Sequence, residues 1–266
     1  MGTFDKAAGR RWTLLFFAAG QPVTIAVSAI IGSEFSRDAP DGPVLVPPGP
    51  AFAIWGLIVT LTGVYAVWQA VARVDAEGRG AVAGPLAVTA ACFCAWIAFA
   101  SIPALTVLTV LVFLVMGAGL LLAAKATRRA SLASWPRWVR GVLWAALGTY
   151  LGWTAIAVWL NASTVLADAG APVRGEWGTA WQLSLAAAAT GTAVLVLLFV
   201  SRISTPLTAV FGVTTVYALA FAAVGATTRD APVPALVAAG LAVILAAATA
   251  LLAAVRRTEV TRRSIP

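Results

Sequence analysis

Eight runs of about 20 apolar residues, at roughly 12–31, 51–72, 85–101, 105–124, 141–166, 179–201, 206–226 and 231–255, restrict this chain more than any other feature. Hydrocarbon offers the backbone no water to bond, so runs of that length must close their hydrogen bonds internally, as helices. The fold class expected is all-α: a polytopic integral membrane protein with eight transmembrane helices. The third and fourth runs nearly meet at Ile102 and Pro103. One helix through both would be about 60 Å long, twice the hydrocarbon thickness, so a tight hairpin at the proline is the better reading. As drawn, no run contains Asp, Glu, Lys or Arg.

The basic residues test this layout independently. With a cytoplasmic N-terminus, all but Arg37, Arg174 and Arg229 of the 18 Lys and Arg fall on the inside. Merging or dropping a single span would scramble that bias. Both termini are therefore expected in the cytoplasm, with the chain in a bacterial-type inner (plasma) membrane. Only 11% of residues are charged, against about 25% in an ordinary soluble domain. The net charge of +8 sits mostly in short connecting segments and reads as topology, so no nucleic-acid partner is expected. Arg10 and Arg11 before the first run also suit a signal peptide, but that run is longer than a usual h-region, contains Gln21 and Pro22, and lacks a convincing cleavage site.

Two stretches carry the candidate chemistry. Pro47, Pro48, Gly49 and Pro50 stiffen the approach to the second span, and Phe52 and Trp55 follow within one helical turn of each other. In the fifth span, Tyr150, Thr154, Ala157 and Asn161 share a stripe about 60° wide, with Trp153 at its edge. An amide in hydrocarbon needs a partner, so Asn161 is expected to point into the bundle or near the outer mouth, although the stripe also suits plain helix packing. Gly148 and Gly152 form a small-xxx-small pair suited to close approach of a neighbouring helix.

Among the 11 tryptophans, Trp12, Trp68, Trp135 and Trp138 lie near the expected cytoplasmic boundary and Trp177 and Trp181 near the outer one, as an anchoring belt would. Trp55, Trp96 and Trp153 are left as pocket candidates. Cys92 and Cys94, two apart on a helix, point about 200° away from each other and cannot bridge. The chain has no histidine, which removes the usual proton shuttle and the commonest axial ligand of haem iron; no metal site and no enzyme activity are expected. The outer loop at 34–50 carries Glu34, Arg37, Asp38 and Asp41, and its prolines suit an ordered lid as well as a linker. Arg37 and Arg174 are placed to meet ligand carboxylates at the mouth.

Ala-Ala-Gly-Gln-Pro at Ala18 to Pro22, then Pro47, Pro48, Phe52 and Trp55, then Trp96, then Tyr-Leu-Gly-Trp-Thr-Ala-Ile-Ala-Val-Trp-Leu-Asn at Tyr150 to Asn161 resemble the tryptophan-rich sensory protein or translocator family (TspO/MBR) in the family's order. The resemblance implies a five-helix bundle at 1–168 that binds tetrapyrroles and, in some members, sterols, with three additional helices and a basic tail at 169–266. It also implies a ligand site made of Gln21, Pro22, Pro47, Pro48, Gly49, Phe52, Trp55, Trp96, Tyr150, Trp153 and Asn161. Two features depart from the pattern: the loop at 32–50 has no tryptophan, and Phe93 stands where the family often has asparagine.

The function expected on these grounds is a sensor or binding protein for a hydrophobic planar ligand, a tetrapyrrole, sterol or isoprenoid-like molecule, held in an aromatic pocket in the outer half of the bundle. A porphyrin without metal is one such ligand, and no cofactor beyond it is implied. Transport of a lipophilic small molecule is the alternative, motivated by the eight spans and by Gln21 with Pro22. The partners expected are a hydrophobic small molecule, membrane lipid and, as one option, a second copy of the chain in a homodimer.

Overall fold

A computed structural model describes residues 3–30, 42–102 and 105–263, and each apolar run is a helix in it. The helices are α1 (Thr3–Ile30), α2 (Ile54–Val71), α3 (Ala76–Ala100), α4 (Thr106–Ala126), α5 (Arg137–Asp168), α6 (Gly175–Ser201), α7 (Thr205–Thr228) and α8 (Pro232–Arg263). Short 3₁₀ turns at Gly49–Ala53 and Leu132–Ser134 precede α2 and α5. Apolar side chains such as Phe16, Leu195 and Leu236 point outward and are more than two-thirds exposed, the surface an acyl-chain solvent calls for. This is an integral membrane protein. The hairpin residue Pro103 and the loop residues Glu34, Arg37, Asp38 and Asp41 lie outside the described residues. On either side of the former, α3 and α4 end and begin where a hairpin requires and pack against each other.

Several helices outrun their apolar stretches, because hydropathy marks only the part that crosses hydrocarbon. The third is the instructive case. It starts at Ala76, well before Pro85, so Glu77 and Arg79 belong to a span that the sequence alone left uncharged. Asp75 caps it, accepting from Gly78 N at 3.1 Å, and Glu77 lies in the first turn, where acidic residues favour the helix dipole. That start signal was legible; Pro85, which sits in the helix interior, obscured it.

By contact the chain forms two compact units, Met1–Phe35 with Ala53–Leu151, and Ser36–Phe52 with Gly152–Pro266. Their division falls inside α5. The boundary expected at 168/169 was drawn from a resemblance, a different property from internal contact.

In the first unit α3 packs against α1 and α4, and α1 also meets α2. One end is stitched by polar side chains. Arg79 is 1% exposed, and its guanidinium donates to the carbonyls of Gln69, in the last turn of α2, and of Val74, in the connection that follows. Gln69 Nε2 donates to Arg11 O at 2.8 Å, tying α2 to α1. The Asp75 carboxylate also accepts from Ser131 N at 2.7 Å and from Trp135 Nε1 at 3.0 Å. Trp135 is thereby withdrawn from the anchoring belt: it is 2% exposed and stacks on Tyr65 and against Trp68. Its proximity to a boundary in sequence did not reveal that a carboxylate would claim its N–H. Trp12, Trp138 and Trp177 are exposed, as a belt requires.

Asp75→Ala removes three accepted hydrogen bonds and a helix cap, so the unit should lose about 2 kcal/mol. A lower thermal midpoint together with faster tryptic cleavage after Arg128 or Arg129 is the expected result. An unchanged cleavage rate would show that Asp75 does not hold the α4–α5 connection.

In the second unit α6, α7 and α8 pack on one another, α7 and α8 most extensively. The segment leading into α2 is fastened to this unit by side chains. Gln182 of α6 accepts from Val44 N at 2.7 Å, Arg229 donates to Val46 O at 2.8 Å, and Tyr217 of α7 donates to Ala51 O at 3.0 Å. The Val46 carbonyl rests directly against Gly225, where any side chain would displace it. Three tethers within the eight residues 44–51 make the described part of this loop an ordered structure.

Candidate ligand site

The residues singled out from sequence fall into two groups, one in each unit. Gln21, Pro22, Trp55, Trp96 and Tyr150 belong to the first unit. Pro47, Pro48, Gly49, Phe52, Trp153 and Asn161 belong to the second.

In the first group Trp55 is the hub. It lies at the start of α2, directly after the 3₁₀ turn, and its ring is 5.0 Å from Trp96, 5.0 Å from Phe93, 5.8 Å from Tyr150 and 6.3 Å from Phe113. Trp96 and Phe113 approach edge to face at 5.2 Å. All five rings are buried. Most meet edge to face, the geometry the ring quadrupoles favour. Phe93 and Trp96, three apart on α3, present their rings on one side of that helix. The phenylalanine that departs from the family pattern thus fills a place in the cluster, and Phe113 of α4 joins it without having been marked from sequence.

A polar pair borders these rings. Gln21 is fully buried on α1 and its Nε2 donates to Tyr150 OH at 3.4 Å, a long bond. Its Oε1 is buried with no hydrogen-bond partner among the described residues. Pro22, next along, sits inside α1 and has no N–H to give the carbonyl a turn earlier. An unspent acceptor beside aromatic faces is what a flat molecule carrying N–H or O–H groups would use.

The second group is arranged around Trp153. Its ring is buried, edge to face with Phe52 at 5.8 Å and tilted against Tyr217 at 6.3 Å. Pro47 is buried, Pro48 and Gly49 are half-buried, and the Pro48 carbonyl accepts from Ala51 N at 2.9 Å as the 3₁₀ turn forms. Asn161 is half-buried, and its Nδ2 donates to Ala157 O, on its own helix, at 2.8 Å. Sequence reasoning missed Tyr217, Gln182 and Arg229. A glutamine inside an apolar run was the available signal for Gln182, because such a group must find partners.

Cys92 and Cys94 are free thiols, and among the described residues no group of three or more His, Cys, Asp or Glu could hold a metal ion. Arg174 is exposed at the N-cap of α6.

These features define an all-helical membrane protein with buried aromatic clusters bordered by isolated amides and hydroxyls. The family model for the TSPO-like protein matches residues 24–253, from within α1 into α8, and the chain belongs to that family. Neither a curated protein nor a solved structure matches it. Membership points to membrane-associated binding or transport of hydrophobic ligands.

Proposed function

We propose that the protein is a membrane sensor or binding protein for a hydrophobic planar ligand, of tetrapyrrole, sterol or isoprenoid-like class, and that it is not an enzyme. The observation carrying this reading is the Trp55 cluster with the unspent acceptor of Gln21 beside it. Aromatic faces would stack the ligand, and Gln21 and Tyr150 would supply its polar contacts. A metal-free porphyrin suits these groups, since its pyrrole N–H can donate to an amide oxygen and no histidine is present to ligate iron. On the same reading 1–168 is the ligand-binding bundle, 169–266 an addition to it, and Arg174 a contact for ligand carboxylates. On this reading both termini face the cytoplasm across a bacterial-type inner membrane, an orientation that the distribution of basic residues supports.

Protoporphyrin titration of the purified protein, read by tryptophan quenching, tests the proposal. Saturable quenching is expected, and Gln21→Leu and Tyr150→Phe should each weaken binding about fivefold, the worth of one hydrogen bond. Both substitutions preserve shape, so unchanged affinity in the two variants would remove these residues from the site. Quenching that never saturates would remove the porphyrin.

A further inference from the structure

The second unit holds a narrow cleft lined by none of the residues singled out from sequence as the ligand site. Leu45, Ile156, Leu160, Leu185 and Leu219 form its walls, and alanines of α6, α7 and α8, Ala189 among them, leave the space between. Its enclosed space is small, about 30 Å³, and the cleft is open on one side.

The polar groups on its walls decide what it can accept. Trp159 Nε1 donates to Thr192 Oγ1 at 3.1 Å, and Ser163 Oγ donates to Leu160 O at 2.7 Å. Both N–H groups of Gln182 are used, on Val173 O and Gly178 O at 3.0 Å each. The backbone N–H groups of the helical wall residues are consumed within the helices. No side-chain donor on the walls is left for a carboxylate, carbonyl or phosphate, and burying such a group there would carry its full desolvation cost. The roof is also fixed: Leu45 lies between Val44, whose N–H donates to Gln182, and Val46, whose carbonyl accepts from Arg229.

We propose that this cleft binds one acyl chain of a membrane phospholipid. All four helices that wall it are long and apolar enough to cross a bilayer, so acyl chains are the hydrocarbon present at their surfaces. A slender chain suits a narrow opening between alanines, and a wall without spare donors suits a chain without polar atoms. Helices α5 to α8 and the segment before α2 would then build a second site, apolar along its walls. This site does not depend on the planar ligand proposed above.

The test uses the full-length protein in nanodiscs containing phosphatidylcholine with a diazirine in one acyl chain, photolysed after exchange into unlabelled lipid, with labelled peptides mapped by mass spectrometry. Label is expected to persist on the peptides bearing Leu160 and Leu185 and to wash from those bearing the outward Leu195 and Val213. Ala189→Leu and Ala222→Leu, which fill the cleft from two different helices, should each cut the retained label at least tenfold, as loss of about 1.4 kcal/mol would. Label lost equally from cleft and outward positions would mean annular lipid only and overturn the proposal. So would retained label that either correctly folded variant leaves unchanged, or that protoporphyrin displaces. The planar-ligand reading is judged separately, by the Gln21 and Tyr150 variants.

Discussion

Trp55→Ala is expected to lower the thermal midpoint of the detergent-solubilised protein by roughly 10 °C, from a loss of about 3 kcal/mol. The ring meets four other aromatic rings within 6.3 Å, and none of them belongs to its own helix. Between helices in lipid, association is driven by packing rather than by exclusion of water, so the contacts of a central ring carry the stabilisation directly. A cavity left among Trp96, Phe93, Phe113 and Tyr150 cannot close unless α3, α4 and α5 move. Trp177→Ala is the matched control: that ring is 81% exposed, and its removal should leave the midpoint within a degree or two of the parent. If the two variants melt alike, the cluster is not what holds the first unit together.

Gly152→Leu should be nearly as damaging, because it fails sterically. A Cβ at Gly152 would lie 2.7 Å from Thr214 Cβ and 2.8 Å from the backbone oxygen of Phe211, so α7 would have to retreat from α5 within the second unit. Overpacking against a helix backbone costs roughly 3 kcal/mol when the neighbour cannot give. The same helix supplies the contrast. Gly141 has nothing within 4 Å of where a Cβ would sit, so Gly141→Ala should stabilise the protein by about 0.5–1 kcal/mol through helix propensity alone. Urea or thermal melts of the two variants in one detergent would measure both signs, and a tolerated leucine at position 152 would contradict the close α5–α7 approach.

The small-xxx-small pattern at Gly148 and Gly152 was visible in sequence because helical periodicity predicts which side of a helix the small residues line. The pattern could not say that Thr214 and Phe211 are the neighbours, since nothing local encodes the partner helix. Trp55 and Trp96 were recognised in the same way, through a family-like pattern, whereas Phe113 carries no local mark and owes its place to α4 packing on α3. Asp75 and Arg79 illustrate the opposite failure. The cap and the acidic first turn were written in the chain, yet an arginine ahead of an apolar run reads as a loop charge until the carbonyls it satisfies are known.

Length and apolarity by themselves determined that the chain crosses a bilayer on eight helices, because a backbone in hydrocarbon has one way to satisfy its hydrogen bonds over 20 residues. Only the tertiary structure decided that the aromatic candidates divide between two compact units, that Trp135 leaves the anchoring belt for Asp75, and that Gln182, Tyr217 and Arg229 hold the segment before α2. Those outcomes rest on contacts between residues far apart in the chain, and periodicity reports only which face of a helix a residue shares, never what that face will meet.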